Sequence, residues 1–230
     1  MNPLPKKTRV AALILASLLA NHTLCAAGYP VPTEGEYTIR DFSFGSGETL
    51  AQLRLHYRTL GKPVRDAQGV VRNAVLIMHG TTGSGGNFIR PEFAGELFGA
   101  GQPLDASRFF LVLPDAIGHG QSSKPSDGLH ARFPHYGYTD MVEADYRLLT
   151  EALGVNHARL IMGTSMGGMH TWVWGERHPG FMDALMPLAS LPAQISGRNR
   201  VWRRAIIDAI RTDPQSGLRV AAQIQFFMGS

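Results

Sequence analysis

The sequence predicts an α/β fold: a doubly wound, mostly parallel sheet with antiparallel strands at its N-terminal edge. Polar and apolar residues first alternate over 36–44 and 50–57, as they do in strands that bury one face. Short runs that are apolar on both faces follow, separated by helical stretches, which is typical of a parallel sheet covered by helices on both sides. In such sheets ligands bind outside the carboxyl ends of the strands, so we expect the chemistry in the loops there.

The individual elements follow from these patterns in chain order. A turn at Gly45-Ser46-Gly47 is expected to join the two alternating strands. Four apolar runs predict the buried strands of the sheet: 74–78, 109–113, 160–162 and 184–186. The clearest helix is predicted over 140–153, with Asp140 and Glu143 as a capping pair at its start. Its apolar face is expected to contain Met141, Ala144, Leu148, Leu149 and Ala152.

Residues 1–27 have the pattern of a secretory signal peptide. A positive segment at 6–9 precedes an apolar run at 10–20, and Cys25-Ala26-Ala27 offers small residues for cleavage. The apolar run is too short to span a bilayer comfortably, so no stable membrane anchor is expected after cleavage. The sequence therefore predicts a periplasmic or secreted protein.

Composition after cleavage argues against several classes of partner. The signal segment holds three of the 22 basic residues and none of the 18 acidic ones, so the net charge falls from +4 to +1. Nucleic acid is therefore not an expected partner. The only cysteine, Cys25, lies in the removed segment, and the histidines lack zinc-binding spacing. No phosphate-binding or dinucleotide motif is present, so we expect neither a metal nor a cofactor.

The segment Gly163-Thr164-Ser165-Met166-Gly167 carries the strongest functional signal. It is a Gly-x-Ser-x-Gly motif directly after a predicted strand and before a helical stretch. A sharp turn there holds the serine in a strained conformation and lifts its hydroxyl above the sheet. Gly163 and Gly167 remove side chains that would collide with the flanking strand and helix. We predict Ser165 as the catalytic nucleophile; the alternative is a serine that only caps a helix.

A second loop, at 79–86, supports this prediction. In this architecture the oxyanion hole combines the backbone N–H after the nucleophile with one from the loop after the third strand. These donors would be Met166 and Thr81; the alternative is a flexible turn with an incidental histidine. His79 is expected to shape the loop, and His119 in the next loop is assigned to turn chemistry rather than catalysis.

These motifs together resemble α/β hydrolases of the homoserine O-acetyltransferase-like group. The resemblance begins near Tyr37, and Gly163 to Met169 is its most specific part. It also includes the segments His79-Gly80-Thr81-Thr82-Gly83 and Pro114-Asp115 with Gly118-x-Gly120-x-Ser122. The resemblance implies a Ser, Asp and His triad in that chain order. It also implies that an acyl group on Ser165 is resolved by an alcohol or by water, with Thr81 and Met166 as oxyanion donors.

The other two members of that triad are not found in this sequence. After Ser165 the only histidines are His170 and His178, within the helix after the nucleophile or at its end. We interpret the chain as C-terminally truncated: 28–194 would form an incomplete core, and 195–230 would begin a helical cap. A serine without an adjacent base is a weak nucleophile. The polypeptide alone is therefore expected to be poorly stable and nearly inactive.

Three functions remain open at this point. The first is a serine hydrolase that acts on a small ester or acyl compound through a Ser165 acyl-enzyme. The second is an acyl-CoA-dependent O-acyltransferase of the homoserine O-acetyltransferase type, and the third is an inactive fragment or binding module. The signal peptide favours hydrolysis because acyl-CoA is not expected outside the cytoplasm. The expected partner is a small-molecule acyl substrate; the sequence leaves open the acyl group, its acceptor and the oligomeric state.

Overall fold

A computed structural model describes residues 28–228, with side chains up to residue 225. The chain forms two compact units, one that ends at Ser190 and one that starts at Leu191. The predicted signal peptide at 1–27 lies outside the described residues. Among the helices that are described, none is long and apolar enough to cross a bilayer.

The first unit is built on a six-stranded sheet in the order β1-β2-β4-β3-β5-β6. The strands are β1 (Thr33–Ser43), β2 (Thr49–Leu60), β3 (Ala74–Met78), β4 (Phe110–Pro114), β5 (Leu160–Thr164) and β6 (Leu185–Leu188). β2 pairs antiparallel with β1 and β4, and all other pairs are parallel. This topology confirms the predicted fold class, including the antiparallel strands at the N-terminal edge.

Alternate residues of β3 bury against opposite faces of the sheet. Ala74, Leu76 and Met78 belong to one apolar cluster, which includes Trp174. Val75 and Ile77 belong to another. Since both faces are covered, the strand reads as a continuous apolar run rather than an alternating one, as predicted.

The helices of the first unit are α1 (Pro91–Leu97), α2 (Tyr138–Arg147) and α3 (Met166–Arg177). The predicted capping pair of α2 was wrong. The helix begins after Gly137, whose N–H donates to Asp140 Oδ2 at 2.8 Å, while Gly45 N–H donates to Oδ1 at 2.7 Å. Asp140 therefore closes the first turn from within the helix, and Glu143 has no capping role.

The helix predicted over 140–153 continues after α2 as one π-helical turn, Leu148–Ala152. Met141, Ala144, Leu148 and Leu149 are buried as expected, but Ala152 is exposed. A π-turn takes more residues than an α-turn, so it rotates the later positions out of phase with the helix face.

The strand boundaries differ from the predicted ones by a few residues. β1 begins at Thr33, because Thr33 pairs with Thr59 at the far end of β2. β5 extends to Thr164, because Gly163 and Thr164 pair with β6. Both extensions depend on pairing with strands from distant parts of the chain, so the local alternation of polar and apolar residues cannot predict them.

The second unit contains two helices, α4 (Gly197–Thr212) and α5 (Pro214–Met228), which pack against each other. The two helices come close together at Gly217, where a Cβ atom would lie 2.5 Å from the carbonyl carbon of Ala209. Trp202 and Ile206 on α4 are half-buried, whereas Arg203 and Arg204 are exposed.

A buried carboxylic acid lies on the inner side of α2. Asp145 is 2% exposed, and burial raises the pKa of its carboxyl from 3.8 to about 8. The folded protein therefore binds a proton that the unfolded chain has lost between these two values. The stability contributed by this protonated acid falls as the pH rises through that window and is lost above about pH 8.

We expect Asp145→Asn to stabilise the protein at alkaline pH, because asparagine is a neutral isostere of the protonated acid. The free energy of unfolding of the variant, relative to wild type, should rise by a few kcal/mol between about pH 5 and about pH 9. Denaturant unfolding at both pH values measures the difference, with Glu96→Gln as the surface control. A difference that does not change with pH would contradict a protonated, buried Asp145.

Candidate active site

Ser165 occupies the turn between β5 and α3. Its backbone adopts φ +55° and ψ −112°, a conformation that non-glycine residues avoid. Such a conformation costs on the order of 1–3 kcal/mol and persists only where the surroundings enforce it. Although the flanking Gly163 and Met166 are buried, Ser165 is exposed. The strained turn thus presents the hydroxyl above the carboxyl end of the sheet.

The two glycines of the motif allow this turn to form. A Cβ atom at Gly163 would overlap the backbone carbonyl of Gly167 and lie 2.9 Å from its Cα. A Cβ atom at Gly167 would overlap the carbonyl oxygen of Met78 and lie 2.5 Å from the carbonyl carbon. The obstructing atoms are backbone, so they cannot rotate away as a side chain would. A side chain at either position would therefore collide with backbone atoms, as predicted from the sequence.

The backbone around Ser165 is tied to the neighbouring strands. Ser165 N–H donates to the carbonyl of Leu188 in β6 at 2.9 Å, and Gly167 N–H donates to the carbonyl of His79 at 3.0 Å. Between them, the N–H of Met166 has no hydrogen-bond partner among the described residues. It is one of the unpaired donors that begin every helix, and it carries the positive end of the α3 dipole.

The loop at 79–86 lies directly against the serine. A Cβ atom at Gly80 would be 3.4 Å from Ser165 Cβ and 4.0 Å from its Oγ. The carbonyl of Gly80 accepts from Gly83 N–H at 3.0 Å and lies 2.8 Å from Nδ1 of His79. The Gly80 carbonyl and the Thr81 N–H belong to the same trans peptide group, in which C=O and N–H point in opposite directions. The Thr81 N–H therefore points away from Gly83 and His79. No partner for it occurs within residues 28–228.

His79 is a structural part of this loop. Its Nε2 accepts from Ala116 N–H at 3.0 Å, so Nδ1 carries the proton that is donated to Gly80. Burial lowers the pKa of His79, and a nearby His119 lowers it further. Both ring nitrogens of the neutral imidazole are occupied, so His79 shapes the loop and is not available to accept a proton from Ser165.

A buried carboxylate that the sequence reasoning did not single out ties this loop to the sheet. Asp115, at the end of β4, accepts from Gly85 N–H at 2.7 Å and from Gln121 N–H at 2.9 Å. Arg58 donates to it at 3.2 Å, and His56 Nδ1 lies 3.0 Å away. The sequence does carry one indication of this role: Asp115 is a charged residue that directly follows a strand buried on both faces. A buried carboxylate needs several donors, and the loops supply them.

The two histidines that follow Ser165 do not face its hydroxyl. His170 is 1% exposed and packs edge-on against Tyr138, and burial lowers its pKa to about 3. His178 stacks on Tyr146 at 4.1 Å. No histidine hydrogen-bonds to Ser165 Oγ among the residues that the structure describes.

A strained, exposed serine between a parallel strand and a helix, followed by the unpaired N–H of Met166 and contacted by the loop at 79–86, is the arrangement of an α/β hydrolase. The family described as the alpha/beta hydrolase fold matches residues 73–223. The chain belongs to this family.

Relatives refine this assignment and confirm the resemblance to the homoserine O-acetyltransferase-like group. The chain is 33% identical over 180 residues to a probable acyltransferase of Methanothermobacter thermautotrophicus, covering 78% of this chain and 54% of that protein. It is 34% identical over 184 residues to the homoserine O-acetyltransferase of Thermobifida fusca, covering 74% and 47%. An acetylester hydrolase from Corynebacterium glutamicum has the same fold, with a TM-score of 0.71 and 22% identity over 86% of this chain and 59% of that one. The chain spans about half the length of the curated relatives it matches.

Proposed function

We propose that the protein containing this chain is an exported serine hydrolase that acts on a small ester or acyl compound through an acyl-enzyme on Ser165. The observation that carries the proposal is the backbone of Ser165, held at φ +55° with an exposed side chain. A strained conformation of this kind is kept where function requires it. The N–H groups of Met166 and Thr81, which have no hydrogen-bond partner among the described residues, are the proposed oxyanion hole.

The reaction proceeds in two balanced steps. Ser165 Oγ attacks the acyl carbon, its proton passes to a base, and the negative charge on the former carbonyl oxygen is stabilised by the N–H groups of Thr81 and Met166. Collapse expels the alcohol, which takes up the proton, and leaves an ester on Ser165. Water then attacks this ester and gives a proton to the base, which returns it to Ser165 Oγ as the acid leaves. The family resemblance implies a histidine oriented by a carboxylate as the base, located outside residues 28–228.

Transfer to an alcohol is the second candidate, favoured by the names of the relatives. Both reactions share the acyl-enzyme and differ only in what attacks it. The proposed export from the cytoplasm favours water, because the acyl-CoA donor of an acyltransferase is not expected there. The site residues themselves serve either acceptor equally.

The partition of one acyl group between the two acceptors tests the proposal. The protein is incubated with p-nitrophenyl acetate in the presence and absence of L-homoserine, and acetate and O-acetylhomoserine are measured by mass spectrometry. We expect acetate in both cases, with Ser165→Ala as the blank. If O-acetylhomoserine is the main product, the protein is an acyltransferase rather than a hydrolase. If Ser165→Ala turns over the ester as fast as wild type, the reaction does not proceed through an acyl-enzyme on Ser165.

A further inference from the structure

A histidine outside the predicted site bridges the candidate oxyanion loop and the loop after β4. His119 lies on the latter loop, and its Nε2 is 2.6 Å from the carbonyl oxygen of Thr81. Its Nδ1 is 3.0 Å from the carbonyl oxygen of Ile117. The imidazole thus connects the residue proposed as an oxyanion donor to a second, rigid loop. That second loop is held by the buried Asp115, since Gln121 N–H donates to its carboxylate.

The two contacts of His119 require both ring nitrogens to be donors. Carbonyl oxygens only accept hydrogen bonds, and a neutral imidazole has one donor and one acceptor nitrogen. Only the doubly protonated imidazolium can therefore donate to Thr81 and Ile117 at once. His79 provides the contrast within the same loop: its Nε2 faces an N–H group, so the neutral ring satisfies both of its contacts.

We propose that His119 is a positioning residue whose imidazolium form holds Thr81 in place, and that deprotonation weakens this bridge by removing one of its two hydrogen bonds. This proposal rests on the proposed function, since the value of a fixed Thr81 lies in stabilising the oxyanion. The direction of the Thr81 N–H depends on the backbone on both sides of Thr81. Hydrogen bonds to the Gly80 carbonyl fix the preceding peptide group, and a hydrogen bond to the Thr81 carbonyl fixes the following one. With His119 neutral, only one ring nitrogen donates, so the ring loses either its contact with Thr81 or the contact with Ile117 that orients it. The Gly80 side stays fixed by Gly83 and His79.

The charged and titratable groups around His119 are compatible with this switch. The His79 ring centroid is 5.2 Å away, and its pKa is lowered, so it adds no second positive charge at neutral pH. From α3, His170 faces the same region and is neutral because its pKa is about 3. On the loop of His119 itself, Asp115 pairs with Arg58 at 3.2 Å, and Lys124 donates to the carbonyl of Gly120 at 3.1 Å.

The first test observes the ring directly and does not depend on catalysis. Long-range ¹H–¹⁵N spectra of the protein, recorded from about pH 5 to about pH 9, report whether one or both imidazole nitrogens carry protons. The signal that disappears in His119→Gln belongs to His119. We expect the backbone amides of Thr81 and Thr82 to shift with the same midpoint as this signal. Amides that do not follow the His119 titration would overturn the proposal.

The second test measures the reaction at Ser165. His119→Leu removes both donors and should slow acylation about tenfold at acidic and neutral pH, in kcat rather than in KM. His119→Gln keeps a donor that does not titrate, so it should recover most of the rate and show a flatter pH profile than wild type. His135→Gln changes an exposed histidine and should behave as wild type.

The positioning role of His119 and the nucleophilic role of Ser165 are tested separately by these measurements. If acylation occurs at Ser165 and His119→Leu leaves its rate and pH profile unchanged, His119 has no positioning role, although the proposed function stands. If Ser165 does not react at all, the proposed function fails, and the proton count of His119 and the Thr81 amide shifts still decide whether the bridge exists.

Discussion

Gly167→Ala should destroy the turn that carries Ser165. The added Cβ would overlap the carbonyl oxygen of Met78 and lie 2.9 Å from that of His79, and both atoms are backbone at the end of β3. The strand and α3 must therefore move apart, which breaks the hydrogen bond from Gly167 N–H to His79. We expect a loss of about 3 kcal/mol or more in the free energy of unfolding, measured by denaturant unfolding, and loss of reactivity at Ser165.

Gly95→Ala is the matched control for this substitution. Gly95 also lies in a helix, α1, and a Cβ atom there would meet nothing within 4 Å. Alanine has the higher helix propensity, so this variant should equal wild type or gain up to about 1 kcal/mol. If Gly167→Ala were as stable as Gly95→Ala, the close approach of α3 to β3 described above would be incorrect.

Ser165→Ala and Ser165→Gly should both abolish acyl transfer but differ in stability. In the protein that contains this chain together with its proposed base, removal of the hydroxyl should lower kcat by on the order of 10⁴-fold or more, because no covalent intermediate can form. Alanine keeps the strain at φ +55° and ψ −112°. Glycine adopts this conformation freely, since it mirrors an extended one, so Ser165→Gly should be more stable than Ser165→Ala by about 1–3 kcal/mol.

A serine on an exposed turn supplies the control for these variants. Ser46 lies between β1 and β2, and Ser46→Ala should retain the activity of wild type. Equal stability of Ser165→Ala and Ser165→Gly would show that the backbone at this position carries no strain. If both variants keep their turnover, the nucleophile is a residue other than Ser165.

Features set by local spacing could be predicted from the sequence. The fold class followed from the change between alternating strands and runs that are apolar on both faces, because each pattern reports how many faces of a strand are buried. The turn at Ser165 followed from glycines at fixed offsets, because the clash they avoid involves residues within the same motif or on the strand beside it. The structure places Gly163 and Gly167 in those close contacts.

Features set by distant partners could not be predicted in the same way. Asp115 gains its donors from β2 and from two loops, and no spacing in the sequence connects these segments. The bridge from His119 to Thr81 joins residues 38 positions apart through a side chain and a carbonyl, a contact that leaves no pattern in residue types. The π-turn after α2 depends on how the helix end packs, so the exposure of Ala152 was also missed.

The central claim is that Ser165 is the nucleophile, and site mapping of a covalent probe tests it most directly. The protein is treated with a fluorophosphonate, which phosphonylates activated serines, and the adduct is located by peptide mass spectrometry beside Ser165→Ala. We expect one adduct, on the peptide that contains Ser165, and none in the variant, even if labelling is slow because no base is adjacent. Adducts spread over several serines, or labelling that persists in Ser165→Ala, would contradict it.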